Sequence, residues 1–312
     1  MMPALTGEGT NIVWNAIMKP LFGKAVVITG AGSGLGAAYA RHAAALGASI
    51  LVNDIDPAAA DRTVAAIRGT GHSAVASAGD IASWNFARSL VDTCIDAFGT
   101  ISGVVNNAGV FRPALIDDLS EADLELMLRV NVLGTAACGS HAVKRLRELG
   151  MGGSIINVAS GSHAGDIALG GYGASKGAIA SLTYSWAMEL RNTGIRVNAI
   201  SPLAETAMAA QNAALMSVQA ANREVHYASL PPPEVNAPVV SFLLSDAAAK
   251  INGQIVRIAN GQLSFVTHPM IADPVLTGEW TFETVTEAFA AHLDNRQQPL
   301  GLAYVRKPDG DV

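Results

Sequence analysis

Short apolar runs rich in β-branched residues alternate with Ala-rich helical stretches from residue 21 onward. The apolar runs predict seven strands, at 25–29, 49–53, 73–77, 103–106, 154–158, 196–200 and 254–258. The stretches between them predict a helix up to residue 46 and further helices at 58–68, 84–98, 122–149, 172–193 and 237–244. Nearly continuous apolar strands are typical of a parallel sheet covered on both faces. Because parallel crossovers are right-handed, the pattern predicts an α/β fold with a doubly wound, Rossmann-type parallel sheet.

The alternation predicts one catalytic domain at 21–262, preceded by an N-terminal extension at 1–20 and followed by a C-terminal extension at 263–312. In the C-terminal extension, Thr284-Val285-Thr286-Glu287 has the order of a capping box. Three apolar residues nearby share one helical face: Val285, Phe289 and Leu293. We therefore expect one short helix there, which either packs on its own subunit or docks on a neighbouring subunit near the substrate cleft.

Composition and charge narrow the class of protein. Half of the 312 residues are hydrophobic and the mean hydropathy is +0.31, but no uninterrupted apolar stretch reaches 18 residues, so we expect no membrane span. The net charge of −6 without a basic run argues against nucleic acid and anionic membranes as partners. Residues 1–20 lack a signal-like apolar core and the two cysteines demand no disulfide, which favours a cytoplasmic protein. No His/Cys clustering suggests a metal.

A glycine-rich turn, TGAGSGLG at 29–36, follows the first predicted strand and opens the first helix. In this context backbone N–H groups and the helix N-terminus can hold a pyrophosphate. We expect contacts to a dinucleotide from Gly30, Ser33, Gly34, Leu35 and Gly36.

Acidic residues after the second and third strands extend this cofactor site. Asp54 ends the second strand, where a carboxylate can accept hydrogen bonds from an adenosine ribose. A carboxylate also repels a 2′-phosphate, and the next residue is Ile55 instead of a basic one, so NAD is favoured over NADP. Asp80 and Ile81 follow the third strand and would lie beside the adenine, although Asp80 is equally typical of a helix cap.

Tyr172 and Lys176 lie four residues apart in a predicted helix and therefore share one face. A solvent-exposed pair of this kind has no catalytic role, whereas a buried pair can catalyse proton transfer. A free phenol titrates near ~10, so its use as a base near pH 7 requires about 4 kcal/mol of preference for the phenolate. One nearby cation typically supplies only part of this. An oxidised nicotinamide would supply the second positive charge.

Five motifs stand in the order of a known family: the turn at 29–36, Asn106-Asn107-Ala108-Gly109, Asn131 in VNV, Ser160 after INV, and Tyr172-x-x-x-Lys176. On these motifs the sequence resembles the short-chain dehydrogenase/reductase family over about 22–262. The resemblance implies that Asn107, Ala108 and Gly109 line the cofactor cleft and that Thr206 contacts the nicotinamide carboxamide. It also implies a catalytic set of Asn131, Ser160, Tyr172 and Lys176.

Each residue of this implied set has a separate task. Tyr172 would be the general base in oxidation and the acid in reduction. Lys176 would lower the pKa of the phenol and hold the nicotinamide ribose hydroxyls, so both residues also count as cofactor contacts. Ser160 would stabilise the substrate oxygen. Asn131 would fix a water that relays protons from Lys176 towards solvent.

The sequence departs from the family pattern around the serine. Ser160 and Tyr172 are separated by 12 positions, one fewer than usual, which leaves Ser162 as an alternative to Ser160. We prefer Ser160 because it directly follows a predicted strand. The usual Pro-Gly after the sixth strand is Pro202-Leu203 here, which changes the loop but not the chemistry.

The predicted function is NAD-dependent interconversion of a hydrophobic secondary alcohol, such as a 3-hydroxyacyl thioester or hydroxysteroid, and its ketone. The mainly apolar segment 203–230 suggests a lid over a bulky substrate, or else a surface helix pair. The alternatives are an NAD-sensing protein without turnover, and a lyase or dehydratase that reuses the same fold. The family resemblance also implies a homo-oligomer, a tetramer or a dimer.

Overall fold

An eight-stranded sheet forms the centre of the molecule. The computed structural model describes residues 19–204, 230–259 and 261–303. The strands are β1 (Ala25–Ile28), β2 (Ser49–Asp54), β3 (Ala74–Ala78), β4 (Gly103–Asn106), β5 (Gly153–Val158), β6 (Ile195–Pro202), β7 (Ile255–Ala259) and β8 (Gln262–Val266). They lie in the order β3-β2-β1-β4-β5-β6-β7-β8, and all neighbours are parallel except β7 and β8.

Helices cover both faces of this sheet. They are α1 (Gly34–Ala45), α2 (Pro57–Gly69), α3 (Trp84–Phe98), α4 (Glu121–Met127), α5 (Thr135–Glu148), α6 (Gly170–Glu189), α7 (Ala237–Leu244) and α8 (Phe282–Ala288). Alternate residues of β1 point to opposite sides: Val26 packs with α1, α2 and α7, whereas Val27 packs with α3, α5 and the end of α6. Every residue of β1 and β4 is buried, and all are apolar except Asn106, whose side chain donates to Asn157 Oδ1 at 2.9 Å. The predicted doubly wound α/β sheet is confirmed.

The eighth strand is a departure from the seven that the sequence predicted. β8 folds back on β7 as an antiparallel hairpin, with Ala259 opposite Gln262. Gly261 adopts a φ of 77°, which a left-handed turn position requires. β8 escaped prediction because four of its five residues are exposed, Leu263 and Phe265 among them. The Asn-Gly pair at 260–261 is a hairpin signal that could have found it.

The single helix predicted at 122–149 is divided in the structure. Leu128–Gly134 forms a π-helical segment between α4 and α5. This wider turn contains Asn131, which is fully buried. Single π-turns inside longer helices frequently mark functional positions.

The helix predicted at 172–193 begins two residues earlier and ends four residues earlier, as α6. The turn that follows contains Asn192 and Gly194, whose positive φ values of 65° and 78° exclude the predicted helical conformation there.

The described part of the C-terminal extension runs along the surface. α8 lies within it, and the capping box joins Thr281 to Thr284, three residues before the position that the sequence suggested. Neither α8 nor the π-helical turn after it, Phe289–Leu293, contains a buried residue. No helix among residues 19–204, 230–259 and 261–303 is long and apolar enough to cross a membrane.

Candidate active site

The glycine turn after β1 is packed so closely that side chains are excluded. Gly30 has a φ of 60°, and a Cβ there would lie 2.7 Å from the Cα of Ala108. A Cβ at Gly36 would lie 2.5 Å from Asn107 Nδ2 and would also collide with the carbonyl oxygen of Gly30. A Cβ at Gly32 would lie 2.5 Å from the Cβ of Ala59. These three positions therefore require glycine, and the absence of side chains lets a pyrophosphate approach the backbone closely.

Hydrogen bonds tie this turn to the end of β4. Asn107 Nδ2 donates to the carbonyl oxygens of Thr29 and Gly30, at 2.9 and 3.0 Å. The backbone amides of Asn107 and Ala108 donate to Thr29 Oγ1, at 3.1 and 3.0 Å. Asn107 and Ala108 thus fix the glycine turn, while their contact with a cofactor stays a prediction.

The first turn of α1 is open to an anion. Ser33 and Gly34 are exposed, and no side chain caps the helix, which has no acidic residue in its first turn. Leu35 is partly buried behind them. The bare turn and the uncapped helix N-terminus together fit a dinucleotide phosphate.

Asp54 is held in place at the carboxyl end of β2. Its two carboxylate oxygens accept hydrogen bonds from the backbone amides of Gly32, at 2.9 Å, and Asp56, at 3.1 Å. The carboxylate therefore touches the glycine turn and stays partly exposed beside it. Two hydroxyls of a ribose are suitable donors to such a group.

The structure shows Asp80 as a turn cap and Ile81 as a buried side chain; their contact with an adenine stays a prediction. Asp80 accepts a hydrogen bond from the amide of Ala82 at 2.8 Å, as a turn cap does, and its other oxygen lies 3.5 Å from Arg129. Ile81 is buried and fills the space that a Cβ on Gly134 would need, at 2.5 Å.

Tyr172 and Lys176 do share one face of α6. Lys176 is only 3% exposed, and its Nζ donates to the carbonyl oxygen of Val158 at 2.7 Å. Nζ lies 5.4 Å from the centre of the Tyr172 ring. Burial lowers the pKa of Lys176 to about 8. The ammonium form is therefore the major one at pH 7, by about ten to one.

Burial also acts on the phenol, in the direction that opposes catalysis. It raises the pKa of Tyr172 to about 12, and a hydrogen bond with Ser160 works against this rise. From that value, phenolate formation near pH 7 requires about 7 kcal/mol, more than the sequence suggested. The need for positive charge near Tyr172 is correspondingly greater. The ring itself is fixed edge-on against Phe111, with centroids 4.9 Å apart.

The two candidate serines occupy different places. Ser160 makes the hydrogen bond with Tyr172, whereas Ser162 lies behind it and is 8% exposed. Ser162 Oγ donates to Ser160 Oγ at 3.0 Å, and the Ser162 amide lies 3.2 Å from the same oxygen. His163 Nδ1 contacts the Ser160 carbonyl oxygen. Ser162 and His163 therefore support Ser160 at the tyrosine.

Asn131 links the cofactor end to α6. Its amide accepts from the Val110 N–H at 2.7 Å and donates to the Val110 carbonyl oxygen at 3.0 Å. It also donates to Ser175 Oγ at 3.0 Å, and Ser175 in turn donates to the Tyr172 carbonyl oxygen at 2.7 Å. A Cβ at Gly109 would lie 3.1 Å from Asn131 Oδ1 and 3.8 Å from Lys176 Nζ. The side chain thus fixes the backbone around the reacting groups.

Sequence reasoning missed two contributors to this geometry. Phe111 holds the Tyr172 ring, and Ser175 connects Asn131 to α6. Ser175 lies inside the Tyr172-x-x-x-Lys176 motif, where its small hydroxyl side chain on the buried face was an available signal. The position of Phe111 depends on the path of a loop, which local sequence patterns do not specify.

Some sequence predictions fall outside the described residues. Thr206 lies there, as does nearly all of the suggested lid at 203–230. In the parts of the chain that the structure covers, no three His, Cys, Asp or Glu side chains come together in a way that could hold a metal ion.

Comparison with known proteins defines the family. The short chain dehydrogenase family model matches residues 24–216. A cis-4-hydroxycyclohexanecarboxylate dehydrogenase of Sinomonas cyclohexanicum is 34% identical over 241 residues, which cover 76% of this chain and 96% of that protein. The hydroxyacyl-CoA dehydrogenase ChsB1 of Mycobacterium tuberculosis is 34% identical over 264 residues, covering 80% and 81%.

A solved structure supports the same assignment. The crystal structure of a short chain dehydrogenase from Burkholderia cenocepacia J2315, in complex with NADP, has a TM-score of 0.68 and 31% identity, covering 78% of this chain and 98% of that one. The chain therefore belongs to the short-chain dehydrogenase/reductase family. It is an oxidoreductase that acts on substrates of the alcohol/ketone type.

Proposed function

We propose that the protein interconverts a hydrophobic secondary alcohol and its ketone with NAD, using Tyr172 as the acid–base group. One observation carries this proposal: the side chain of Tyr172 is hydrogen-bonded to Ser160, and the buried ammonium of Lys176 lies 5.4 Å from the centre of its ring. A nicotinamide cofactor, when bound, supplies the hydride chemistry. The chain must hold the substrate oxygen and move its proton.

Tyr172 takes the hydroxyl proton in oxidation and returns it in reduction. Lys176 stabilises the phenolate by charge and, when the cofactor is present, holds its nicotinamide ribose. The Ser160 hydroxyl donates to the substrate oxygen while negative charge develops there. Asn131 keeps α6 and the Val110 backbone in register with these groups. Its suggested part in a water relay stays a prediction.

We infer NAD from the position of Asp54. The carboxylate touches the glycine turn at Gly32, and the following Ile55 is 73% exposed and supplies no charge. A 2′-phosphate beside Asp54 would meet a negative group instead of a basic one. Since the Burkholderia relative was solved with NADP, the choice requires direct measurement.

Two relatives guide the choice of substrate. Their names describe dehydrogenases of a hydroxycyclohexanecarboxylate and of hydroxyacyl-CoA, both alcohols with substantial apolar parts. We propose a bulky alcohol of this kind, with a 3-hydroxyacyl thioester or a hydroxysteroid as the forms to try first. Small polyols should turn over less well.

A panel experiment tests cofactor and substrate together. The full chain is incubated with NAD or NADP and with acyl, steroid and aliphatic secondary alcohols, while absorbance of the reduced cofactor is followed. We expect kcat/KM to favour NAD, and Asp54→Asn to reduce that preference by about tenfold, the size expected for a hydrogen-bonded charge. Tight NAD binding without turnover of any member would instead favour a sensing protein. Conversion without net redox change would favour a lyase.

The assembly is also part of the proposal. We infer a homo-oligomer, a tetramer or a dimer, because large apolar side chains such as Leu128, Leu133 and Phe265 are 40% or more exposed. Light scattering on the purified chain gives the mass. A monomer at micromolar concentration would contradict the inference. Cytoplasmic location stays an expectation.

A further inference from the structure

The C-terminal extension returns to the loop that carries Ser160. The chain leaves β8 at Val266 and is anchored by His268, whose Nε2 lies 2.7 Å from the Gly253 carbonyl oxygen. About thirty residues later it reaches the short helical turn Gly161–Ala164. A Cβ added at Gly161 would lie 3.0 Å from Leu302 Cδ2. The extension therefore touches, within the same chain, the residue next to Ser160.

A second contact lies at the other end of this turn. A Cβ added at Gly301 would lie 3.4 Å from the Gly165 carbonyl oxygen. Gly301 and Leu302 thus flank the turn at both ends. Leu302 is 39% exposed, in contrast to Leu300, which is fully exposed at 100%. Of these two leucines, Leu302 is the more buried, and it is the one that packs on the turn.

The hydrogen bonds within the turn are local, and one further bond, between Ser160 and Tyr172, joins it to α6. The Ser162 amide donates to Ser160 Oγ at 3.2 Å, the His163 amide to the Ser160 carbonyl oxygen at 3.3 Å, and the Gly165 amide to the Ser162 carbonyl oxygen at 3.0 Å. The bonds within the turn fix its shape. Its position depends on the groups that pack on it: α6 on one side, where a Cβ at Gly173 would lie 2.6 Å from the Ser162 carbonyl oxygen, and the extension at Leu302.

Two side chains reach the bare backbone at Gly161. Besides Leu302, Arg257 Nη1 would lie 3.1 Å from an added Cβ. Both atoms are at the ends of flexible side chains. They can approach the backbone of Gly161 this closely because glycine has no side chain. Larger residues there would push both groups outward.

We propose that Leu302 is a positioning residue for Ser160, so that the C-terminal extension completes the active site of its own subunit. The inference rests on the proposed function, because Ser160 must act on the substrate oxygen for its position to matter. Displacement of a catalytic group by about 1 Å is enough to lower turnover. The contact is made in cis; docking of the extension on a neighbouring subunit stays a prediction.

Hydrogen exchange tests the contact without any substrate. Leu302→Ala is compared with Leu300→Ala in the full chain, and exchange is followed at the amides of Ser162, His163 and Gly165. We expect about tenfold faster exchange in Leu302→Ala, the size expected for losing the burial of a partly covered leucine. Leu300→Ala should match the wild type. Equal exchange in both variants would overturn the inference.

Kinetics test whether the contact matters for catalysis. With NAD and the best secondary alcohol of the panel, Leu302→Ala should lower kcat by about tenfold while the dissociation constant for NAD is unchanged. Leu302→Met should restore kcat, and Leu300→Ala should leave it unaltered. A loosened turn with unchanged kcat would overturn the positioning role. If Tyr172→Phe is inactive while Leu302→Ala behaves as wild type, only this inference fails; an active Tyr172→Phe would remove the proposed function itself.

Discussion

The two ends of the active site are held in different ways. At the cofactor end, Thr29, Asp54 and Asn107 join three neighbouring strands through hydrogen bonds to the backbone. At the substrate end, Ser160 lies on a turn with local hydrogen bonds, and an exposed extension packs on it. In the proposed function, the strand ends hold the cofactor and loops select the substrate. The tyrosine and lysine of α6 lie where the two ends meet.

Loss of the lysine should have the largest effect, because this residue serves both ends. In Lys176→Met the phenolate loses its nearest cation and the ribose loses a donor. We expect kcat/KM to fall by about 10³-fold. Steady-state kinetics at pH 7 measure it. A loss smaller than tenfold would mean that the lysine is only structural.

The same variant has a stability signature with a definite pH window. Since burial lowers the pKa of Lys176 to about 8 from its ordinary 10.5, the unfolded chain binds the proton more tightly than the native one between these values. Stability contributed by this site therefore rises as pH increases from 8 to 10.5. Denaturant unfolding should show the wild type gaining stability relative to Lys176→Met across that window. If the free energies of unfolding of the two proteins changed in parallel with pH, the burial of Lys176 would be contradicted.

A methyl group added to the glycine turn should weaken NAD binding and lower the stability of the protein. In Gly36→Ala the added Cβ meets the Gly30 carbonyl oxygen and Asn107 Nδ2, neither of which can move without disturbing the turn. We expect NAD affinity to fall by about 100-fold and Tm to fall by several degrees. Fluorescence titration and thermal unfolding measure the two. Gly69→Ala, which meets nothing within 4 Å, is the matched control and should change neither.

The smallest effect is expected far out in the extension. Thr281→Ala removes the capping box of α8, whose residues are all at least partly exposed. Hydrogen exchange should show α8 loosened by about 1 kcal/mol. We expect kcat to be unchanged, because the contacts with the Ser160 turn come from Gly301 and Leu302 and not from α8. A lowered kcat would show that the whole extension acts on the site as a unit.

The same contrast explains what could be predicted from sequence. The strands, the glycine turn and the spacing of Tyr172 and Lys176 follow from local periodicity and motif order. The eighth strand was missed because it is mostly exposed, and the π-helical turn at Asn131 because helical periodicity hardly changes across it. Leu302 and Gly161 are 141 residues apart in the sequence, and no local pattern predicts that they meet.

The raised pKa of Tyr172 likewise depends on tertiary structure. Burial moves it upward to about 12, whereas the motif alone suggested only the benefit of a nearby lysine. The sequence therefore predicts which groups react, and the fold determines the pKa from which Tyr172 must be shifted.

Replacement of the phenol by a phenyl ring tests the central claim most directly. Tyr172→Phe keeps the ring that packs on Phe111 and removes only the hydroxyl that bonds with Ser160. With the best alcohol of the panel, we expect kcat to fall by about 10³-fold while NAD affinity changes less than about threefold. Turnover near the wild-type rate in this variant would contradict the assignment of Tyr172 as the acid–base group.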